Sequence, residues 1–381
     1  MQPVEPADAR ELAEALAEAA SRKHRILLRG ASSKDAMGGP LAPADVCIST
    51  RRLNRLLAYD PDDLTISVEA GMPYAEFSRL LAEHGQMAPL DPPFAQQGTI
   101  GGILAANLSG PRRRLYGSAR DMLIGMKFAT LEGKIVESGG MVVKNAAGLD
   151  LGRLMIGAFG TLAAIVSANF RVFPIPPAWR TFLRSFPALE QAIAERDRVL
   201  RSVLSPAALD LLNPEAARRT DRQGYVLALE AGGSPAVLDR YQRELPGWAP
   251  LDEAEAAAFW TAVREFTPAY LEEHPEGAVV RLTTTLTGVT HVLDGVSHPT
   301  VARAGSGVLW VHFPDCEAAQ TWVRQMAQRG YCAVIEFAPP ERKAQLEMWP
   351  APGPDFSLMQ RLKDHFDPHR LLNRGRLYGR L

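Results

Sequence analysis

Apolar and polar residues alternate along this chain in two distinct textures. Residues 8–22 place Ala and Leu among Glu and Arg at helical spacing, after Asp8 as a candidate cap, and predict a first helix. A short strand over 25–28 runs into RGASSKDAMGGP, and a second strand-like run covers 45–49. Residues 64–70 (LTISVEA) alternate with period two and stop at Gly71. Pro73 suits the first position of a helix reaching about residue 84. Residues 91–110 are rich in Pro, Gly and small side chains. Residues 125–137 predict a hairpin, MKFATL and IVE joined by Glu132-Gly133-Lys134. A long apolar strand over 161–173 ends at Pro174, and Pro174, Pro176 and Pro177 make a stiff break that marks a domain boundary.

Beyond that break, strands are predicted at 225–231, 279–285, 308–313 and 332–337. Helices fall between them at 236–244, 253–266 and 316–329. That alternation predicts a small α+β domain, a sheet backed by helices. A last helix over 356–366 precedes FDPHRLLNRGRLYGRL. The chain has no internal repeat and no low-complexity segment.

Composition narrows the function classes. The 381 residues are 46% hydrophobic and 22% charged, ordinary for a globular protein of two or three domains. A formal net charge of -1 argues against nucleic acid as a partner. Cys47, Cys316 and Cys332 form no C-x-x-C pair, so neither an iron–sulfur cluster nor a zinc site is legible. So sparse a cysteine set suits a reducing compartment. The acidic N-terminus lacks the basic start of a signal peptide, and no apolar run reaches the ~18 residues of a membrane span. A cytoplasmic protein is expected, held at an inner membrane only through partners.

Three glycine-rich stretches carry the candidate chemistry. In Arg29-Gly30-Ala31-Ser32-Ser33-Lys34, followed by Gly38-Gly39, small residues after a strand can turn amide groups into one concavity that fits a pyrophosphate. The alternative is a surface turn. In Gly98-Thr99-Ile100-Gly101-Gly102, opening a small-residue run to Asn107, the missing Cβ atoms let a ligand lie against the chain. A helix start there offers free amides to an anion; the alternative is a glycine turn packed on another element. The third stretch is Lys144-Asn145-Ala146-Ala147-Gly148, then 154–157 and Gly160-Thr161. Lys144 faces a flavin ring or phosphate, or is solvated. There is no G-x-G-x-x-G after a strand, no P-loop, no H-E-x-x-H and no G-x-S-x-G.

These stretches resemble the FAD-binding domain of the vanillyl-alcohol oxidase and p-cresol methylhydroxylase (PCMH) superfamily, over residues 20–175 and again at 355–377. The strongest block runs from QQGTIGGILAANLSGPRRRLYG to VVKNAAGLDLGRLMIGAFGTLAAI. Within that superfamily, GPRR and VVKNAAGLDLGRLMIGAFGTL resemble the FAD-binding subunits of bacterial glycolate oxidases. The tail FDPHRLLNRGRL resembles the ending F-D-P-x-x-x-x-N-P-G-[RK], with Arg374 in place of proline.

The resemblance implies an α+β, PCMH-type fold: two subdomains grip extended FAD in residues 1–175, a small α+β cap follows at 176–350, and 351–381 returns to the flavin part. It implies that Gly30, Ala31, Ser32 and Ser33 hold the pyrophosphate, with Arg29 beside them, and that Gly98, Thr99, Gly101 and Gly102 hold its other side. Gly117, Arg120 and Asp121 would lie near the adenosine and ribitol. Gly160, Thr161, Leu162 and Ile165 would line the adenine and flavin cleft. Asn373 and Arg376 would bring the tail back. Segments 29–39 and 91–117 contain neither His nor Cys, so the FAD is expected to be non-covalent.

No catalytic residue is assigned. Related hydroxyacid enzymes carry an H-x-G-D-G-N-x-H motif in a longer cap, whereas this chain has only Val311-His312-Phe313 in a comparable strand. His312 is a catalytic or a structural histidine, and Glu336 a base or a surface carboxylate. Arg112-Arg113-Arg114 steers an anionic substrate, seats an acidic partner, or is a solvated loop. The resemblance implies an FAD-dependent oxidoreductase, the FAD-binding subunit of a glycolate oxidase complex. Its partners would be a larger FAD catalytic subunit and an iron–sulfur subunit, with a small 2-hydroxy acid as substrate. A self-sufficient FAD-linked oxidase or dehydrogenase, and a degenerate flavoprotein scaffold, are the alternatives.

Overall fold

Asp8 begins the first helix, Ala9–Ser21, by accepting from the amides of Arg10 and Glu11. Its apolar stripe, Leu12, Ala13, Leu16 and Ala19, is buried against Ile26, Ile48, Leu53, Ala129, Ala164 and Leu372. In the computed structural model, which describes residues 2–141, 150–379 and 381, the chain divides into two units. The first joins Met1–Leu108, Ser118–Ile175 and Ala351–Leu381; the second joins Ser109–Gly117 to Pro176–Pro350.

In the first unit, Ile26–Arg29 pairs in parallel with Val46–Ser49. Bridges Val4↔Ile48 and Ile26↔Leu372 extend that ladder on both sides. The C-terminal tail is therefore a neighbour of the first strand. A separate antiparallel sheet has the order Leu56–Asp60, Thr65–Glu69, Ala164–Arg171, Leu123–Ala129, Ile135–Gly139. Its edge strand Leu56–Asp60 escapes sequence reading because four of its five residues are exposed, so it has no buried stripe to alternate. Pro73 (φ -59, ψ 135) stands just outside the helix Tyr74–Ala82 rather than opening it. Within the Pro/Gly stretch lies the seven-residue helix Ile100–Ala106.

The second unit is built on one eight-stranded antiparallel sheet with helices on both faces. Leu209, Leu211, Leu227 and Leu229 face one apolar cluster with Ala192, Val199 and Trp322. The alternate residues Ala208, Leu212, Val226 and Ala228 face Phe259, Trp260, Val263 and Phe266. Strands Ala178–Phe186 and Ala208–Leu212 and helix Leu189–Arg201 are absent from the sequence reading. Every residue of Ala208–Leu212 is buried, so its hydropathy cannot distinguish a strand from a helical turn. Residues 109–117, expected within the first block, group with this sheet instead.

Candidate functional site

A cavity in the first unit is walled by residues 28–35, Thr50, Ala70, parts of 99–106 and 159–165, Asn373 and Arg376. The strand Ile26–Arg29 delivers the chain to it, and Ser32 turns the loop with φ 61. Among the described residues, the amides of Ala31, Ser32 and Ser33 meet no protein acceptor. Three such donors in a turned loop form an anion nest. Arg29 adds an ion pair to Asp35 (2.9 Å), while its buried Nε has no partner.

The tail braces this loop. Arg376, 9% exposed, donates from Nη2 to the Lys34 carbonyl (3.2 Å) and from Nη1 to the Asp35 carbonyl (3.4 Å). Its guanidinium lies over the Phe159 ring at 5.5 Å, and burial pulls its pKa down to about 10. Asn373 accepts from the Leu28 amide (2.8 Å) and donates to the Phe159 carbonyl (2.8 Å). Deeper in, Lys363 donates to the Thr161 carbonyl (2.7 Å), the Leu372 carbonyl (3.1 Å) and Asp367 Oδ2 (2.7 Å). Asp367 accepts in turn from the amides of Leu371 and Leu372.

The second glycine stretch works differently from expectation. Its first helical amides are occupied: Ile100 donates to the Met72 carbonyl, Gly101 to the Ala70 carbonyl and Gly102 to Thr99 Oγ1. The donors for an anion therefore sit in the first loop, not at this helix start. Gly101 is small for packing, since a Cβ there would lie 2.8 Å from Ala70 Cβ. A Cβ on Gly102 would meet only Thr99 Oγ1 (3.2 Å) and Lys34 Nζ (3.7 Å), and Gly102 lines the cavity.

Arg29, Gly30, Ala31, Ser32, Ser33, Thr99, Gly101, Gly102, Gly160, Ile165 and Arg376 all reach the cavity wall. Other expected residues have different surroundings. Gly98 forms the turn before the helix, its amide bonded to the Phe94 carbonyl. Arg120 is exposed and reaches the Ile156 carbonyl at 3.4 Å. Asp121 is held by the amide and hydroxyl of Ser118 in a capping box. Thr161 turns its hydroxyl to the Ala158 carbonyl, and Leu162 is buried. Gly117 groups with the second unit. Lys144 lies outside the described residues. Sequence reading named Lys34 in the first stretch without giving it a role, and missed Asp35, Thr50 and Phe159 as wall residues. Thr50 directly follows the parallel partner of the first strand, a signal that pairing alone provides.

In the second unit, His312 is fully buried between the Thr267 hydroxyl and the Pro299 carbonyl, each at 3.0 Å, with its pKa pushed down to about 3 by burial. It is a neutral, structural histidine. Glu336 accepts from Arg281 Nε (2.8 Å) and Trp310 Nε1 (2.7 Å). Arg112 makes a bidentate pair with Glu230 and stacks over Trp179 at 4.2 Å. Arg113 is exposed, while burial lowers the pKa of Arg114. The arginine run is thus not a uniform solvated patch.

The sequence matches the family model described as "FAD binding domain" over residues 2–139, and "FAD linked oxidases, C-terminal domain" over 341–377. It is 28% identical to "Glycolate oxidase subunit GlcE" of Escherichia coli (strain K12), over 97% of each chain. It is 26% identical to a "D-2-hydroxyglutarate dehydrogenase" of Xanthomonas citri pv. viticola, covering 90% of this chain and 81% of that one. The fold superposes on 4-ethylphenol oxidase from Gulosibacter chungangensis with a TM-score of 0.73 at 14% identity, over 99% of this chain and 88% of that one. Among the described residues, no helix is long and apolar enough to cross a membrane.

Proposed function

We propose that this chain, which belongs to the FAD-linked oxidases with the PCMH-type flavin fold, works as the FAD-binding subunit of a complex that oxidises glycolate to glyoxylate. A larger FAD subunit would perform the oxidation and an iron–sulfur subunit would accept the electrons. The chain would be cytoplasmic and reach the inner membrane only through those partners. In this reading, residues 1–108, 118–175 and 351–381 form the flavin part, and 109–117 with 176–350 the cap.

The observation that carries this reading is the cavity's donor set. The unbonded amides of Ala31, Ser32 and Ser33 and the unpartnered Arg29 Nε call for an acceptor, and a diphosphate is one. Gly102 leaves room for a ligand against the backbone. Ala105, Ala106, Phe159, Ala163 and Ile165 give the wall its apolar part. FAD would supply the two-electron chemistry when bound. With no His or Cys in 29–39 or 91–117, these loops would hold it without a covalent bond.

The division of labour rests on how the substrate-side candidates are used. His312 is buried, and Arg112 and Glu336 are committed to partners within their own unit. The experiment is anaerobic mixing of the FAD-loaded chain with glycolate and with D-lactate. The flavin should stay oxidised with the chain alone and bleach only when the partner subunits are added. Rapid bleaching of the isolated chain would replace this reading with a self-sufficient dehydrogenase.

A further inference from the structure

We infer that Lys34 is the fixed positive charge that meets the cofactor's diphosphate, an inference that rests on the cavity being the FAD site. Lys34 follows the three unbonded amides directly and lines the same cavity. The residue is only 9% exposed, although an ammonium is among the costliest groups to take out of water. Nζ donates to Ser33 Oγ at 2.9 Å and stands 6.0 Å from the centre of the Phe94 ring. A Cβ on Gly98 would fall 3.3 Å from Nζ and one on Gly102 3.7 Å, so the ammonium hangs over the glycine stretch on the far side of the cavity. It stands between the donor loop and the glycine stretch that faces it.

The charge of the wall agrees. Arg29, Lys34 and Arg376 are its cationic side chains among the described residues, against Asp35 as its carboxylate. Asp35 is paired with Arg29, and Arg376 spends donors on the carbonyls of residues 34 and 35. Arg376 thereby holds the loop, while the Lys34 ammonium sits beside the unbonded amides of that loop. A charge on a buried side chain such as Lys34 is screened less by water than one on the open surface.

The test uses the full chain, stripped of flavin, as wild type, Lys34→Met, Lys34→Gln and Lys34→Arg. FAD affinity is read by quenching of flavin fluorescence at low and high salt, and the melting temperature of each flavin-free form is recorded. Loss of one charge-assisted contact should weaken FAD binding by about 10- to 100-fold in the Met and Gln variants. It should also flatten the salt dependence, while Lys34→Arg retains most of the affinity. Variants that bind FAD within about twofold of wild type, with the same salt response, would overturn the inference. A variant pair that loses affinity only in step with its melting temperature, with unchanged salt response, would also overturn it. Failure of the wild type itself to bind FAD is a separate outcome, and removes the cavity reading instead.

Discussion

Gly30 and Thr99 touch across the cavity floor: a Cβ on Gly30 would lie 2.5 Å from Thr99 Oγ1. That same oxygen caps the helix Ile100–Ala106 by accepting from the Gly102 amide. A side chain at position 30 must therefore push the hydroxyl aside and uncap the helix. Gly30→Ala should cost about 1–3 kcal/mol of stability and lower FAD occupancy. Thr99→Ala removes the clashing oxygen and leaves Thr99 Cβ 3.7 Å from the new carbon. The double variant should then be less destabilised than the sum of the singles, measured by a denaturation cycle. Strict additivity would show that the two residues do not meet.

Gly101 and Gly102 are neighbours with opposite duties, and substitution should separate them. Gly101→Val drives a branched side chain into Ala70, whose Cβ and carbonyl oxygen would be 2.8 and 3.0 Å from the new Cβ. A drop of about 3 kcal/mol in stability is expected. Gly102→Val faces the cavity, its new Cβ 3.2 Å from Thr99 Oγ1, and should lower the melting temperature of the flavin-free chain much less than Gly101→Val while reducing bound FAD. Equal effects of both on melting would remove the distinction.

The buried Lys363–Asp367 pair anchors the tail that braces the loop. Lys363→Met leaves a carboxylate sealed from water and should cost about 3–5 kcal/mol. Hydrogen exchange should quicken across residues 371–376, and FAD should bind more weakly. Unchanged protection there would mean that the pair stabilises its helix without holding the tail.

His312 makes the second unit sensitive to acid. Its folded pKa of about 3 lies below the ordinary 6.5. The unfolded chain takes up a proton there first, so stability falls as pH drops from about 6.5 toward about 3. The slope contributed is at most about 1.4 kcal/mol per pH unit, one proton's worth. His312→Asn keeps a donor toward the Pro299 carbonyl and removes the titration. Its melting temperature, lower than wild type near pH 7, should decline less between about pH 6 and about pH 4. Parallel curves would show that His312 does not set the acid limit.

Arg112 and Arg113 are adjacent and differ in what surrounds them. Arg112→Ala removes the bidentate partner of Glu230, whose side chain is 7% exposed, and should cost about 1–3 kcal/mol. Arg113→Ala, on an exposed residue, should leave the melting temperature as it was. Both changes having the same effect on melting would contradict the pairing.

Local pattern made much of this protein legible, and partnership made the rest invisible. The capped helix after Asp8, the hairpin around Gly133 and the last helix Phe356–Phe366 declare themselves through spacing and turn residues. The loop after Arg29 was readable as a candidate because small residues after a strand can turn their amides into one concavity, although a surface turn has the same look. The reason for Gly101 was not readable, because Ala70 stands 31 positions earlier (101 − 70) and meets it only in the fold. Lys34 closes the first glycine-rich stretch in the sequence, but only the fold shows it buried in the cavity wall. Gly117 went to the second unit because residues 109–117 pack with its sheet, a choice that composition does not record.

Asn373 and Leu28, which together close one side of the cavity, are 345 positions apart. During synthesis the nest loop emerges early and waits for almost the whole intervening polypeptide before its clasp exists. A ribosome-bound chain cut short of Arg376 would hold the first loop without its brace. Flavin loading therefore belongs after translation has passed that arginine, and nascent chains should be colourless until then.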